Sequence, residues 1–470
     1  MIAAAFPRNM AASMSSVPSS HPAVLRYAEH MNPAFVKLLG AFGYGRVFVG
    51  ARQNRLWDHE GREYLDFLAG FGANNLGHNH PRLRERMREL LLDDVPNLVH
   101  AGPQVHAADL AFELTRRTGP LTMCLFSCTG AEAVETGLKL ARAATRRPGL
   151  LHCSAGYHGL NLGNLSVNDT TRMRAPFEPL LPACQAVPFG DLDALERALA
   201  DKKAAAFLVE PIQAEGGVIM PPAGYLASAQ ELCRKKGTVL VLDEVQTGLG
   251  RTGTLFAHER EGFFPDVLVL GKALGGGMVP ISATLTTRDL HERAFGTVER
   301  FDLHGSTYAG NAFACRTAME VLRILDDEKL IAASEARGGL LLTQLRARLA
   351  GHPLVREVRG RGLFVGLELG PTDTGILNRA LPGLVDAVSR RVFGQWLAMR
   401  LLEKGILAQP ASQQWNVLKL EPPLTVTDEE IDRAVTAIAA ILGEYRELGP
   451  LVRDVAERLG KQFMGGWRFG

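Results

Sequence analysis

The chain has 470 residues, 46% hydrophobic and 22% charged, the balance of an ordinary globular protein long enough for two subdomains. Its 52 Lys and Arg against 50 Asp and Glu leave a formal charge of +2, which argues against nucleic acid or an anionic membrane as partner. No run approaches the roughly 18 apolar residues needed to cross a bilayer.

From the start of the chain, residues 1–28 carry no acid, two arginines (Arg8 and Arg26) and several serines. This imitates an organelle transit peptide, but the expectation is an extension without fixed structure, or a start at Met10 or Met14. "RLWDHEGREYLDFLAG" then reads as a small hairpin entering a turn. In the middle of the chain short apolar runs alternate with helical patterns: "TMCLFSC", "GLLHC", "AAAFLVEPI", "GTVLVLDEV", "PDVLVLGK" and "ISATLTT". Runs apolar throughout predict strands buried on both faces, hence an α/β architecture with a parallel or mostly parallel sheet. Near the end, "GRGLFVGLEL" and "WNVLKLEPPL" alternate as strands. Thr427 and Glu430 then have capping-box spacing, ahead of Ile431, Val435, Ile438 and Leu442 on one helical face. The six cysteines lie in apolar runs without a second close pair, so buried, reduced thiols of a cytoplasmic protein are expected, and no metal site.

Three stretches carry chemistry. In "CTGAEAVETGLKLA", Thr129 and Glu132 have capping-box spacing, and Gly130 and Ala131 fall in the first turn with unpaired N–H groups, a cup for a phosphate. On this motif alone a plain capped helix is the simpler account. In "VLVLDEVQTGLGRTG" a buried strand ends in Asp243 and Glu244, of which only one faces any one side. Asp243 there suits a protonated heteroaromatic nitrogen, and capping a helix suits it equally well. Gly248, Gly250 and Gly253 match the dinucleotide fingerprint, but no firm helix pattern follows and acids precede them, so nicotinamide binding is rejected. Third, in "PDVLVLGKALGGGMVP", Lys272 ends an apolar run, and Gly275, Gly276 and Gly277 are read as clearing room for a planar ligand. A partly desolvated lysine is an amine nucleophile. Phosphate cup, aspartate and lysine together are what pyridoxal phosphate needs.

With these stretches, "LGHNHP", "YHG", "EPIQAEGG", "HGSTYAGN" and "EPPLT" make the chain resemble the class III, ornithine-type aminotransferases of the fold-type I pyridoxal-phosphate superfamily, from about residue 45 to about 445. "GFG", "PFEPLLPACQAVPFG" and "IMPPAGYL" look most like putrescine and other ω-amine aminotransferases. The resemblance implies a large domain with a mostly parallel seven-stranded sheet and a smaller α+β domain. Residues 1–75 would contribute to the small domain, 76–329 form the large cofactor-binding domain, and 330–470 complete the small one. It implies that Lys272 forms the internal aldimine and shuttles a proton, that Asp243 pairs with the ring nitrogen, and that Gln246 reaches the phenolic oxygen. Tyr157 would stack on the ring, with His158 beside it and Glu210 supporting the region. Thr129, Gly130 and Ala131 would hold the phosphate, and Thr307 would reach the phosphate of a second subunit, making a homodimer. Glu215 would gate a cation in R-x-x-P-P-L, where this chain has Lys419 in place of arginine; Phe71 would line the amine pocket or simply pack. The implied reaction moves an amino group from an ω-amine or diamine to an α-keto acid, through an aminated form of the cofactor. Ornithine or acetylornithine transamination, aminomutation or decarboxylation use the same machinery. A binding homologue without catalysis is disfavoured because every machinery residue is present.

Overall fold

In the computed structural model, residues 21–41, 44–370, 382–445, 450–451 and 453–454 are described. Five strands, Gly149–Cys153, Ala204–Val209, Val239–Asp243, Val267–Leu270 and Ser282–Thr286, are buried along their whole length. Alternate residues serve opposite faces. Ala206, Leu208, Val241, Val267 and Val269 join a core with Ala133, Val134, Leu138 and Ala141 of the helix Gly130–Thr145. Phe207, Val209, Leu240, Leu242, Leu268 and Leu270 join the larger core on the other side, with Tyr225, Leu226 and Ala229 of the helix Tyr225–Lys236. The period of two is therefore present but invisible in hydropathy, because both faces are covered.

The sheet has seven strands, in the order Met123–Ser127, Ser282–Thr286, Val267–Leu270, Val239–Asp243, Ala204–Val209, Gly149–Cys153, Cys184–Val187. All neighbours are parallel except the two pairs made by Ser282–Thr286. The edge strand Cys184–Val187 is absent from the sequence-predicted runs. It is only four residues long, with Gln185 and Ala186 exposed, so it lacks the apolar continuity that marked the others.

The hairpin expected near residue 60 forms from Arg55–Asp58 and Glu63–Asp66. It sits in a four-stranded sheet with Phe48–Arg52 and, paired parallel to Glu63–Asp66, Ile406–Leu407. A second four-stranded sheet contains Val355–Arg361, Phe364–Leu369, Val417–Leu420 and Gln409–Pro410. The helix Asp428–Gly443 has the predicted capping box, and Ile431, Val435, Ile438 and Leu442 are buried. Of the N-terminal extension, Pro22–His30 is helical, which corrects the expectation for residues 22–28; residues 1–20 lie outside the described residues. Cys153, Cys233 and Cys315 are buried free thiols, whereas Cys124, Cys128 and Cys184 are half-buried. Among the described residues no helix is long and apolar enough to cross a membrane.

Candidate active site

The carboxyl ends of the buried strands carry the chemistry, as expected for an open α/β sheet. Asp243, 5% exposed, shares the parity of Val239 and Val241 and so faces the side of the helix Gly130–Thr145. Its Oδ2 lies 2.8 Å from His158 Nδ1, and its Oδ1 accepts from the Val245 N–H at 3.0 Å. Glu244 turns the other way, accepting from the N–H groups of Ala257 and His258 and contacting His258 Nδ1 at 2.8 Å. The adjacent acids thus divide between site and scaffold. The glycine-rich stretch after them runs as turns into the short segment Ala257–Glu261, so no helix follows it directly.

At the start of the helix Gly130–Thr145, the Thr129–Glu132 capping box is formed in both directions. Thr129 Oγ1 takes the Glu132 N–H and the Thr129 carbonyl takes that of Ala133. Among the described residues no acceptor is seen for the N–H groups of Gly130 and Ala131, the open donors of a helix N-terminus. A Cβ on Gly130 would come within 2.7 Å of Val245 Cγ1, so only glycine lets this turn approach the strand end.

Lys272 follows the strand Val267–Leu270 after one glycine, at φ +43°, a left-handed conformation costing a non-glycine residue about 1–2 kcal/mol. Strain of this kind concentrates where a side chain must be aimed. Burial pushes the Lys272 amine below its ordinary range and Lys419 adds to this, while Glu421, Glu215 and Asp243 oppose it. Its Nζ donates to Gln246 Oε1. Two of the three glycines that follow, Gly276 and Gly277, require a different reading from the one the sequence suggested. A Cβ on Gly276 would meet Leu83 at 2.6 Å and one on Gly277 would meet Asn74 Oδ1 at 1.7 Å, both at positive φ. Those two glycines are demanded by the turn and its protein neighbours rather than by room for a planar ligand.

A chain of polar contacts continues from Lys272. Gln246 Nε2 donates to Glu421 Oε2 at 2.8 Å, Glu421 Oε1 lies 2.9 Å from Lys419 Nζ, and Lys419 pairs with Glu215 Oε1. Glu215 Oε2 accepts from the Ser412 N–H at 2.9 Å. Lys419 and Glu421 are fully buried. Burial alone would lower the Lys419 pKa, but Glu421 and Glu215 outweigh it and hold it above the ordinary lysine range. Burial likewise opposes charge on Glu215, yet Lys419 draws its carboxyl down to about 2. The stability this ionised pair supplies is complete above pH 4.5 and is lost as pH falls toward about 2. The Phe71 ring, 40% exposed, lies 5.3 Å from Lys419 Nζ, a cation–π distance. Phe71 itself has φ +58°, in a turn that Asp66 Oδ1 holds through the N–H groups of Leu68 and Ala69.

Tyr157 is half-buried, and Glu215 and Lys419 both act on its hydroxyl, the first raising and the second lowering its pKa behind the larger effect of burial. Its N–H donates to Glu210 Oε1, and the Ala214 N–H donates to Glu210 Oε2. Burial pushes the Glu210 carboxyl up to about 7, against His158 and the two N–H groups and with help from Asp243. Both oxygens serve as acceptors, so an amide in their place sets an N–H₂ against a backbone N–H. Glu210→Gln is expected to cost about 1–3 kcal/mol, read as a lower urea midpoint. An unchanged midpoint would mean the two N–H groups find other acceptors.

The structure therefore brings together Lys272, Gln246, Glu215, Lys419 and Phe71 in one cluster, and Asp243 with His158 in another beside it. Thr307 is exposed in a turn, and among the described residues no contact joins it to either cluster. Glu421, in "EPPLT", has no role in the sequence pattern; its signal is an acid two residues after Lys419, the other charged residue of that strand end. The residues fit pyridoxal phosphate on chemical grounds: an amine with a lowered pKa, a strand-end carboxylate and two open N–H donors at a helix start. Comparison with known proteins decides the family, since residues 44–442 match "Aminotransferase class-III". The chain belongs to the class III aminotransferases.

Members of this family use pyridoxal phosphate. Aminotransferase PigE of Serratia sp. (strain ATCC 39006) is 36% identical over 91% of this chain and 54% of its own, so the chain spans about half the length of that relative. An ornithine aminotransferase from Toxoplasma gondii, with partial pyridoxal-phosphate occupancy, aligns with a TM-score of 0.77 at 36% identity, covering 86% of this chain and 91% of its own. An amine transaminase from an uncultivated Pseudomonas species, in its pyridoxal-phosphate-bound form, aligns at 0.74 and 28%, covering 85% and 95%. A class III aminotransferase takes an amine donor and a keto acid, and the cluster around Lys272 is where this chain carries amine and carboxylate chemistry side by side.

Proposed function

We propose that this aminotransferase moves an amino group from an ω-amine or diamine resembling putrescine to an α-keto acid. The observation that carries the reading is the Lys272 amine, lowered in pKa and bonded to Gln246 within a cluster that holds two carboxylates against one other cation. Pyridoxal phosphate, when bound, supplies a carbonyl for the donor nitrogen and a ring that withdraws electrons. Lys272 would hold that carbonyl carbon before the donor arrives and afterwards carry a proton at the donor carbon. Asp243, aimed by His158, would keep the ring nitrogen protonated, and Gln246 would orient the ring oxygen. Thr129, Gly130 and Ala131 would bind the phosphate, and Tyr157, positioned by Glu210, would cover the ring face. Exposed Thr307 would serve the phosphate site of a second copy, which makes the active unit a homodimer. A cytoplasmic location goes with this reading, as does a division into a small domain from residues 1–75 and 330–470 and a large one from 76–329. The pairing of Glu63–Asp66 with Ile406–Leu407 supports that division.

The test is the visible absorption of the cofactor-loaded protein before and after adding putrescine without keto acid. The expected result is bleaching of the lysine-bound cofactor's band. A band unmoved by putrescine but bleached by ornithine would favour the ornithine-type reading, which the likeness to the Toxoplasma gondii enzyme supports. Absence of any band after reconstitution would overturn the role given to Lys272.

A further inference from the structure

Four consecutive residues, Ala69, Gly70, Phe71 and Gly72, have φ of +46°, +58°, +58° and +79°, so φ is positive along the whole turn that follows the strand Glu63–Asp66. Two of the four carry a Cβ, which the left-handed region penalises, so this backbone persists only where its surroundings fix it. The fixing group is Asp66, which is buried. Its Oδ1 accepts from the N–H groups of Leu68 and Ala69 at 2.9 and 2.8 Å, and its Oδ2 lies 2.8 Å from His78 Nε2. His78 is fixed in turn by backbone hydrogen bonds exchanged both ways with Gln53, at 2.6 and 2.7 Å.

The turn backs the reacting lysine from two sides. A Cβ on Gly72 would lie 3.5 Å from Cγ of Gln246, the partner of the Lys272 amine. Just past the turn, Asn74 Oδ1 sits so close to Gly277, in the loop after Lys272, that a Cβ there would meet it at 1.7 Å. The Asn74 N–H donates to the Ala69 carbonyl at 2.9 Å, so Asn74 moves with the turn. Displacing the turn therefore frees Gln246 to shift and removes a support from the Lys272 loop. A misplacement of about 1 Å at a reacting group costs about a hundredfold in rate.

We infer that Asp66 and His78 are positioning residues for Lys272: as a pair they hold the left-handed turn that keeps Gln246, and through it the lysine amine, in place. The inference rests on the role proposed for Lys272 and adds the support that aims it.

The experiment strips the full-length protein of cofactor, adds saturating pyridoxal phosphate and follows growth of the lysine-bound cofactor's visible band. Saturation makes the first-order rate a measure of attachment rather than of phosphate binding. His78→Ala is expected to slow that rate at least about tenfold, and Asp66→Ala at least as much. His78→Gln, whose amide nitrogen can replace Nε2 beside Asp66, should stay within about threefold of the wild type. Adding Ala69→Gly to His78→Ala should recover part of the loss, because glycine keeps a positive φ without being forced. A pair that only stabilised the fold would lower the urea midpoint and leave the attachment rate unmoved. An unmoved rate in either alanine variant, an equal loss in His78→Gln, or no recovery with Ala69→Gly overturns the inference. Should the alanine variants not fold, Ala69→Gly alone carries the test. It is expected to raise the urea midpoint, and a lower midpoint would show no strain in the turn and overturn the inference. Absence of any band in the wild type overturns the role given to Lys272, and the inference with it.

Discussion

Replacing Lys272 by alanine is expected to lower kcat by at least about four orders of magnitude, the upper range of what a positioned acid–base group contributes. Two properties make the residue irreplaceable. Its amine is pushed down by burial toward the neutral, nucleophilic form, whereas the only other lysine in the cluster is driven the opposite way. Lys419 is fully buried between Glu215 and Glu421, and both hold its proton, so it cannot serve as a substitute base. Gln246 is an amide and His158 is engaged with Asp243, so neither offers a free amine. The check is a single-turnover rate for each half-reaction, alongside the cofactor's visible spectrum. Alanine at this position retaining activity within a hundredfold of the wild type would mean that another group moves the proton.

Much of this site was legible in the sequence because its parts are local. A capping box is four residues long, and Thr129 and Glu132 meet through it wherever the helix sits. A strand end is visible as the place where apolar residues stop, which places Asp243 and Lys272 at the carboxyl ends of two neighbouring strands. Parity along the strand foretold that Asp243 and Glu244 would part, although not which would face the helix. What remained hidden depends on contacts between distant segments. Glu421 lies 175 residues from Gln246, and nothing in "EPPLT" says that its acid inserts between an amide and a lysine. Gly276 and Gly277 were misread for the same reason: their neighbours Leu83 and Asn74 come from far earlier in the chain. The edge strand Cys184–Val187 was missed because partial exposure removes the apolar run that betrays a buried strand.

The glycine-rich stretch that resembles a dinucleotide loop has a different task, and it leads to the largest expected loss of stability. Between Gly250 and Gly253 stands Arg251, whose side chain is wholly buried. Its guanidinium donates to Asn75 Oδ1 at 2.6 Å, to the Leu363 carbonyl at 2.9 Å and to the Pro422 carbonyl at 2.5 Å. Its own carbonyl accepts from the Leu363 N–H and from Ser334 Oγ. One residue therefore ties the loop after Val239–Asp243 to four segments that the chain delivers separately. Burial pushes its pKa down to about 10, with Glu421 and Asp66 opposing, so the group stays charged at neutral pH. Arg251→Met fills similar space but leaves three buried acceptors without a donor. The expected cost is about 3–5 kcal/mol, the range for removing one partner of a buried charged network. Arg251→Lys should recover less than half, because one ammonium cannot reach three acceptors spread around a planar fork. Urea unfolding of the cofactor-loaded protein measures both, and a Met variant within about 1 kcal/mol of the wild type would mean that water or relaxation satisfies those acceptors. Pro422 adjoins Glu421, so loosening this clamp should also disturb the Glu421–Lys419 pair before the chain unfolds. A Met variant whose bound cofactor keeps the wild-type visible spectrum would separate the clamp from the site and confine Arg251 to stability.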